Sequence, residues 1–285
     1  MSARFMSEVS SNHAGDLGRC LDFIDVSAEI GCSAVKFQLF RIEEMFAPEI
    51  LARSEKHRKR KDWELPEGFL EPIAERCQRR GVQFCCTPFY LEAVDVLLPF
   101  VDTFKIASYE LLWDDLLRKT AATGKPVILS CGMATIAEIE HAVSVLHEAG
   151  GRDVTLLHCV SAYPTPPEEA NLAAIATIRD ATGCAVGWSD HTVSAGVIHR
   201  AIHRFDAKMI EFHLDLDGTG AEYSAGHCWL PYEIGAVIRE VRDAEHADGS
   251  GEKKPTPSEL PDRDWRADPA DGLRPLRAIR RDWAA

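Results

Sequence analysis

The sequence predicts an α/β fold: a closed (β/α)8 TIM barrel followed by an extended C-terminal tail. Three observations carry this. Eight strand-like segments alternate with helical patterns along 285 residues. The length suits one large barrel, and no internal repeat is visible. No G-x-G-x-x-G follows the first strand, which favours closure over an open doubly wound sheet.

The strands are short, apolar and bounded by turn residues. They read "RFMSEVSS" (residues 4–11), "AVKFQLF" (34–40), "VQFCCTPF" (82–89), "TFKIAS" (103–108), "PVILSCG" (126–132), "VTLLHCV" (154–160), "AVGWSDH" (185–191) and "MIEFHLD" (209–215). Patterns such as "LGRCLDFIDVSAEIG", "IAEIEHAVSVLHEAG" and "SAGVIHRAIHRF" have helical periodicity, and several end in Gly as a C′ residue should. Thr135, with Glu138 three residues on, predicts a capping box. The barrel is expected over residues 1–246 and the tail over 247–285, with no second domain. Two stretches read as irregular. One is the connection over residues 41–66, with the basic run "KHRKRK" at 56–61; the other is the Pro-, Gly- and charge-rich tail, ending in a short helix.

A net charge of −13 argues against general nucleic-acid binding and leaves room for a small cationic pocket. No apolar run reaches the ~18 residues of a membrane helix. The N-terminus runs directly into a strand, so no signal peptide is expected. The nine cysteines form no C-x-x-C pair, and several lie inside strands. Reduced buried thiols in a cytoplasmic protein are expected.

In a barrel the active site lies at the C-terminal strand ends. There the sequence places Glu8, Asn12, His13, Lys36, Gln38, Thr87, Lys105, Ser108, Ser130, Ser161, Tyr163, Ser189, His191, Glu211 and His213. Lys36 and Lys105 interrupt apolar strands, where an unpaired lysine is costly. Two ammonium groups ringed by the hydroxyls of Thr87, Ser108, Ser130 and Ser189 suit a phosphate, a carboxylate, or a molecule bearing both. Removing Lys105 is then expected to abolish turnover and spare the fold. His191 and His213 fall on adjacent strands about 4.8 Å apart. They can converge on one ion and leave positions open for water or substrate, as in a catalytic site. Cysteine is not expected among the ligands. Glu211 shares the inward face of its strand with His213. His158, His199 and His203 read as structural.

The blocks "EVSSNHAG", "VKFQ", "TPF", "FKIAS", "GKPVILSCGMAT", "LLHCVSAYPTPPEEANL", "VGWSDHT" and "EFH" together resemble the N-acetylneuraminate (sialic acid) synthase family, in the family's order and over residues 4–213. The resemblance implies a (β/α)8 barrel. It also implies condensation of phosphoenolpyruvate with an open-chain N-acyl hexosamine or related aldose, giving a 3-deoxy-ulosonic acid and phosphate. A divalent metal is implied, manganese foremost, with magnesium or cobalt as alternatives. His191 and His213 match the metal ligands. Lys36, Thr87, Lys105, Ser108, Ser130 and Ser189 match the phosphoenolpyruvate site. Ser161 stands where many members have Asn, and Tyr163 matches the Tyr of that block. Glu8 and Glu211 match acidic residues near the sugar aldehyde and the attacking carbon. A homo-oligomer, dimer or tetramer, is expected.

The sequence departs from the family in three places. Ser10 stands where Gly is usual. The stretch after His213, "LDLDGTGAEYSAGHCWLP", replaces a loop that helps hold the sugar. The resemblance covers the barrel and not the family's antifreeze-like domain, which lends an Arg to the partner's sugar. The acceptor is therefore expected to be an aldose other than N-acetylmannosamine, or a sugar phosphate. Arg274, Arg277, Arg280 and Arg281 in the tail are the expected substitutes for the missing Arg. A metal-dependent pyruvate aldolase on the same barrel, and a non-catalytic ligand-binding descendant, are the alternatives.

Overall fold

The structure, a computed structural model, describes residues 3–283. Eight parallel strands close into a barrel: β1 (Arg4–Glu8), β2 (Ala34–Leu39), β3 (Gln83–Pro88), β4 (Thr103–Ile106), β5 (Val127–Ser130), β6 (Val154–His158), β7 (Ala185–Asp190) and β8 (Met209–Leu214). Closure is the β1–β8 pairing, which sets Glu8 opposite His213 on one side while Lys36 faces it on the other. The barrel helices are α1 (Leu17–Ile30), α2 (Leu70–Arg80), α3 (Leu91–Leu97), α4 (Asp114–Ala121), α5 (Ile136–Glu148), α6 (Ala174–Thr182), α7 (Ala195–Phe205) and α8 (Pro231–Ala247). Thr135 and Glu138 form the expected capping box on α5. Gly31, Gly81 and Gly183 end α1, α2 and α6 in the left-handed conformation that lacks a Cβ penalty.

Strand alternation sorts the core into layers. Phe5, Val35, Phe37, Phe104, Trp188 and Phe212 pack outward against the helices. Met6, Ala34, Cys85, Ile128, Leu157 and Met209 form a separate apolar cluster that plugs the barrel interior. Two residues on from these come Glu8, Lys36, Thr87, Ser130, Cys159 and Glu211, three of them charged side chains. The layer above the plug is therefore polar, with its charges on β1, β2 and β8.

Several strands end sooner than the sequence suggests. β1 stops at Glu8, and residues Ser10–His13 form a 3-10 turn. β5 stops at Ser130 and β7 at Asp190, before Gly132 and His191. Once the ladder partner ends, the backbone turns out to satisfy its own polar groups. Residues 41–66 are also more ordered than expected: short helices Ile42–Met45, Pro48–Arg53 and Glu55–Arg58 lead into a 3-10 helix, Lys59–Trp63. A ninth strand, β9 (Cys228–Trp229), was not foreseen; it pairs in parallel with β8, with Cys228 opposite His213.

The chain divides into two compact units at Arg242, with the second beginning at Asp243. The boundary lies a little before the expected one and falls within α8. In the second unit Asp271 takes Arg280 at 2.5 Å and Arg277 at 3.2 Å, so these two arginines are engaged within their own unit. No helix among the described residues is long and apolar enough to cross a membrane. All nine cysteines are unpaired thiols, and only Cys184 is not buried.

Candidate active site

A cavity of about 390 Å³ opens at the C-terminal ends of the strands. Its floor is ionic. Lys36 Nζ lies 2.6 Å from Glu8 Oε2 and 3.7 Å from Glu211 Oε1. Lys105 Nζ lies 3.5 Å from Glu211 Oε2. All four side chains are buried. Gln38 donates to Glu8, and Ser189 Oγ donates to Glu211 Oε1 at 3.2 Å. Burial opposes charge here, yet each charge raises its partner's stake. Burial works against the Lys36 ammonium, but Glu211 and Glu8 outweigh it and raise its pKa. Burial likewise opposes the Glu211 carboxylate, and Lys105 and Lys36 outweigh it, holding its pKa at about 2. The expectation that Lys105 waits unpaired for an anion is therefore corrected. Glu211, on a strand that does not pair with that of Lys105, reaches it across the barrel interior.

The imidazoles occupy the rim above. The His191 and His213 ring centroids are 5.4 Å apart. His191 Nδ1 bonds the Val160 carbonyl at 2.8 Å, and His213 Nδ1 bonds Glu222 Oε2 at 2.9 Å. Each ring thus commits Nδ1 and keeps Nε2. Imidazoles that ligate a metal are held in this way by a carbonyl or carboxylate on the other nitrogen. Burial, and then the neighbouring His213, push His191 down to about 3, which keeps its lone pair. Burial opposes charge on His213 too, but its bonds to Cys228 and Glu222 win and raise it to about 10. A cation at Nε2 would supply the charge that Glu222 otherwise draws from a ring proton. On this geometry the pair fits a divalent cation.

Glu222 is itself fixed from the first barrel turn. Its Oε1 accepts from Ser10 Oγ at 2.6 Å, Ser11 Oγ at 2.7 Å and Ser11 N–H at 3.3 Å. His227 Nε2 lies 3.5 Å from Oε2. Neither Glu222 nor His227 was singled out from the sequence. The signal was there in the unusual "GHCW" and in Ser10, both departures from the resembled family, but nothing local said they would meet.

Of the expected residues, Glu8, Lys36, Gln38, Lys105, Ser108, Ser130, Tyr163, Ser189, His191, Glu211 and His213 line the cavity. The Tyr163 ring lies against His191, the centroids 4.1 Å apart and the planes tilted by 42°. Four do not line it. His13 is buried, its Nδ1 accepting from the Gly15 N–H at 3.0 Å. Asn12 turns to the Leu214 carbonyl at 2.9 Å and braces the loop after β8. Thr87 is fully buried in register with Gln38. Ser161 packs over Gly132, where a Cβ would lie 2.3 Å from its Oγ. The hydroxyls of Thr87, Ser130 and Ser161 are buried without a hydrogen-bond partner. Of the basic run, Arg60 alone reaches the cavity wall. Lys59 and Lys61 pair with Glu55 and Glu43 on the surface.

Comparison with known proteins gives a consistent result. The NeuB family model matches residues 23–253. An uncharacterized protein of Methanocaldococcus jannaschii is 40% identical over 261 residues, covering 89% of this chain and 74% of that one. The N,N'-diacetyllegionaminic acid synthase of Campylobacter jejuni is 33% identical over 269 residues, covering 89% and 80%. Among solved structures, the N-acetylneuraminic acid (sialic acid) synthetase of Leptospira borgpetersenii, in complex with citrate, superposes with a TM-score of 0.80 at 31% identity, covering 93% of this chain and 92% of that one.

Proposed function

This chain belongs to the NeuB family, and we propose that it condenses phosphoenolpyruvate with an open-chain aldose to form a 3-deoxy-ulosonic acid, releasing phosphate. The observation that carries the reading is the stacking of two functions in one cavity. A buried Lys–Glu floor lies beneath a pair of histidines that both keep Nε2. The relatives are named synthases of sialic and legionaminic acids, which supports this reaction class.

The residues would act as follows. Lys36 and Lys105 meet the carboxylate and phosphate of phosphoenolpyruvate, with Ser108, Ser130 and Ser189 donating at the rim of that anion. When bound at His191 and His213, a divalent cation (manganese by expectation) supplies Lewis acidity toward the aldehyde. C3 of phosphoenolpyruvate attacks the aldehyde carbon. Positive charge develops at C2. Glu211, held ionised between two lysines, lies in the layer where it can stabilise that charge. Water adds at C2, and Glu8, oriented by Lys36 and Gln38, is placed to receive its proton. The tetrahedral intermediate then loses phosphate by C–O cleavage. Tyr163 closes the wall against the imidazoles.

We further propose that the acceptor is recognised by a different set of groups from those of the resembled family. Arg60 on the excursion after β2 lines the cavity, its Nε is buried without a partner, and its guanidinium lies over the rings of Phe46 and Trp63. A guanidinium so placed suits an acyl carbonyl, a carboxylate or a phosphate on the sugar. The test is a panel of N-acylated aldoses, free aldoses and sugar phosphates with phosphoenolpyruvate and manganese, read by phosphate release. Aldose-dependent release supports the reading; no release with any acceptor contradicts it.

A further inference from the structure

On the loop side of His213, away from its Nε2, four side chains converge that the condensation does not use as a set. Glu222 Oε2 lies 2.9 Å from His213 Nδ1, 3.5 Å from His227 Nε2 and 3.9 Å from Cys228 Sγ. One ligand atom from each of the four lies within 4.8 Å of every other. A tetrahedral ion with bonds of about 2.0–2.3 Å holds its ligand atoms roughly 3.3–3.8 Å apart. The three measured edges straddle that range.

The fold builds this arrangement from several directions. The β8–β9 pairing sets Cys228 opposite His213. Ser10 and Ser11 hold the far oxygen of Glu222 and leave Oε2 to face the cluster. Asn12 Nδ2 approaches Cys228 Sγ at 3.6 Å, as a donor to a sulfur carrying negative charge would. His213, His227 and Cys228 are buried. His227 Nδ1 is buried with no hydrogen-bond partner, so the ring is tied to the fold's polar groups through Glu222 alone among the described residues.

We propose that His213, Glu222, His227 and Cys228 form a closed site for a thiophilic divalent cation of the zinc class, separate from the Nε2 pair that faces the cavity. Two imidazole nitrogens, one carboxylate oxygen and one sulfur are zinc ligands; the sulfur selects against magnesium and calcium. A set of four protein ligands leaves no open position, so this is not a second catalytic centre. The proton balance is definite. The cation takes the place of the Cys228 thiol proton and of the proton between His213 Nδ1 and Glu222, and both pass to solvent. A neutral His213 then carries its hydrogen on Nε2 and is withdrawn from the cavity pair. One ring therefore couples the two positions, and a zinc-class ion here opposes the cation at His191. The site itself does not depend on the reaction proposed above.

Binding tests it directly. The full chain, stripped with a chelator, is titrated with cobalt(II). The expected result is a sulfur-to-cobalt charge-transfer band with the intense visible bands of tetrahedral cobalt, both erased by one equivalent of zinc. The charge-transfer band should vanish in Cys228→Ser and persist in His191→Gln. His227→Gln should weaken cobalt binding about 10–100-fold or more, the loss seen even for outer partners of a metal site. Circular dichroism checks that each variant is folded. X-ray absorption at the zinc edge of the wild type needs no variant and should show one sulfur at about 2.3 Å. Absence of the charge-transfer band, its survival in Cys228→Ser, its loss in folded His191→Gln, or a shell of nitrogen and oxygen alone would each overturn the assignment.

Discussion

Ser10 Oγ donates a 2.6 Å hydrogen bond to Glu222 Oε1, tying the turn after the first strand to the loop after the last. Ser10 sits at φ 50°, a left-handed conformation that favours glycine. Its hydroxyl gives the reason a serine is kept there. Glu222 in turn orients His213. Two separate departures from the resembled family thus meet in one contact, and each makes sense of the other.

This contact separates backbone strain from hydrogen bonding. Ser10→Ala keeps the strain and loses a bond to a charged group, which contributes roughly 1.5–3 kcal/mol. Ser10→Gly loses the same bond but relieves about 1 kcal/mol of left-handed strain. Thermal denaturation should therefore rank wild type above Ser10→Gly and Ser10→Gly above Ser10→Ala. Glu222→Gln should weaken manganese binding about 10–100-fold by paramagnetic resonance titration. Unchanged affinity would remove Glu222 from the support of His213.

Lys105→Ala should abolish turnover and also lower stability. Removing one member of a buried ion pair strands the other, at a cost that reaches about 3–5 kcal/mol. Lys36, 3.7 Å from Glu211, softens that cost. The double variant Lys105→Ala/Glu211→Gln should regain stability without regaining activity. If the single variant melts like wild type, the Lys105–Glu211 pairing does not hold in solution.

Glu110 gives a pH dependence with a definite sign. Burial raises its pKa to about 7, against the opposing pull of Lys105. The folded chain therefore holds this proton more tightly than the unfolded chain, whose Glu titrates near 4.5. Stability from this group is fully present below the unfolded value and is lost as pH rises through the folded value. Glu110→Gln should then raise the melting temperature relative to wild type at pH 8 and not at pH 4. The gain corresponds to at most about 3.5 kcal/mol at ~1.4 kcal/mol per pKa unit. An equal shift at both pH values would show that Glu110 is not the titrating group.

Arg60→Gln should raise KM for the acceptor about 10–100-fold and leave KM for phosphoenolpyruvate near its wild-type value. Loss of a charge-assisted bond of roughly 1.5–3 kcal/mol corresponds to about one to two decades in affinity. Steady-state kinetics with each substrate varied in turn distinguishes this outcome. A matching rise in both KM values would place Arg60 at the shared anion instead.

Much of the floor of the site was legible in the sequence, because strand alternation alone dictates that Glu8, Lys36 and Glu211 point inward. The pairing of those charges was not legible. It depends on register between strands, which sets Glu8 beside Lys36 and Ser189 beside Glu211. Asn12 and Ser161 sit next to the cavity in sequence terms but turn away from it, since side-chain direction beyond a strand end follows the loop and not the pleat; Thr87 stays within β3 and is fully buried there. Glu222 and His227 lie on a loop positioned by the two-residue strand Cys228–Trp229. So short a strand has no periodicity to read. The short helices of residues 41–66 were hidden by their charge, which gives no apolar stripe long enough to register as helical.

The most direct measurement follows one oxygen atom. Phosphoenolpyruvate carrying heavy oxygen in the bridge between C2 and phosphorus is incubated with the enzyme, manganese and the best aldose of the panel. Condensation by C–O cleavage predicts phosphate that carries the bridging label, formed only when aldose is present and in step with the ulosonic acid. Label left in the organic product, phosphate released without aldose, or carbon–carbon bond formation from pyruvate with no phosphate at all would contradict it.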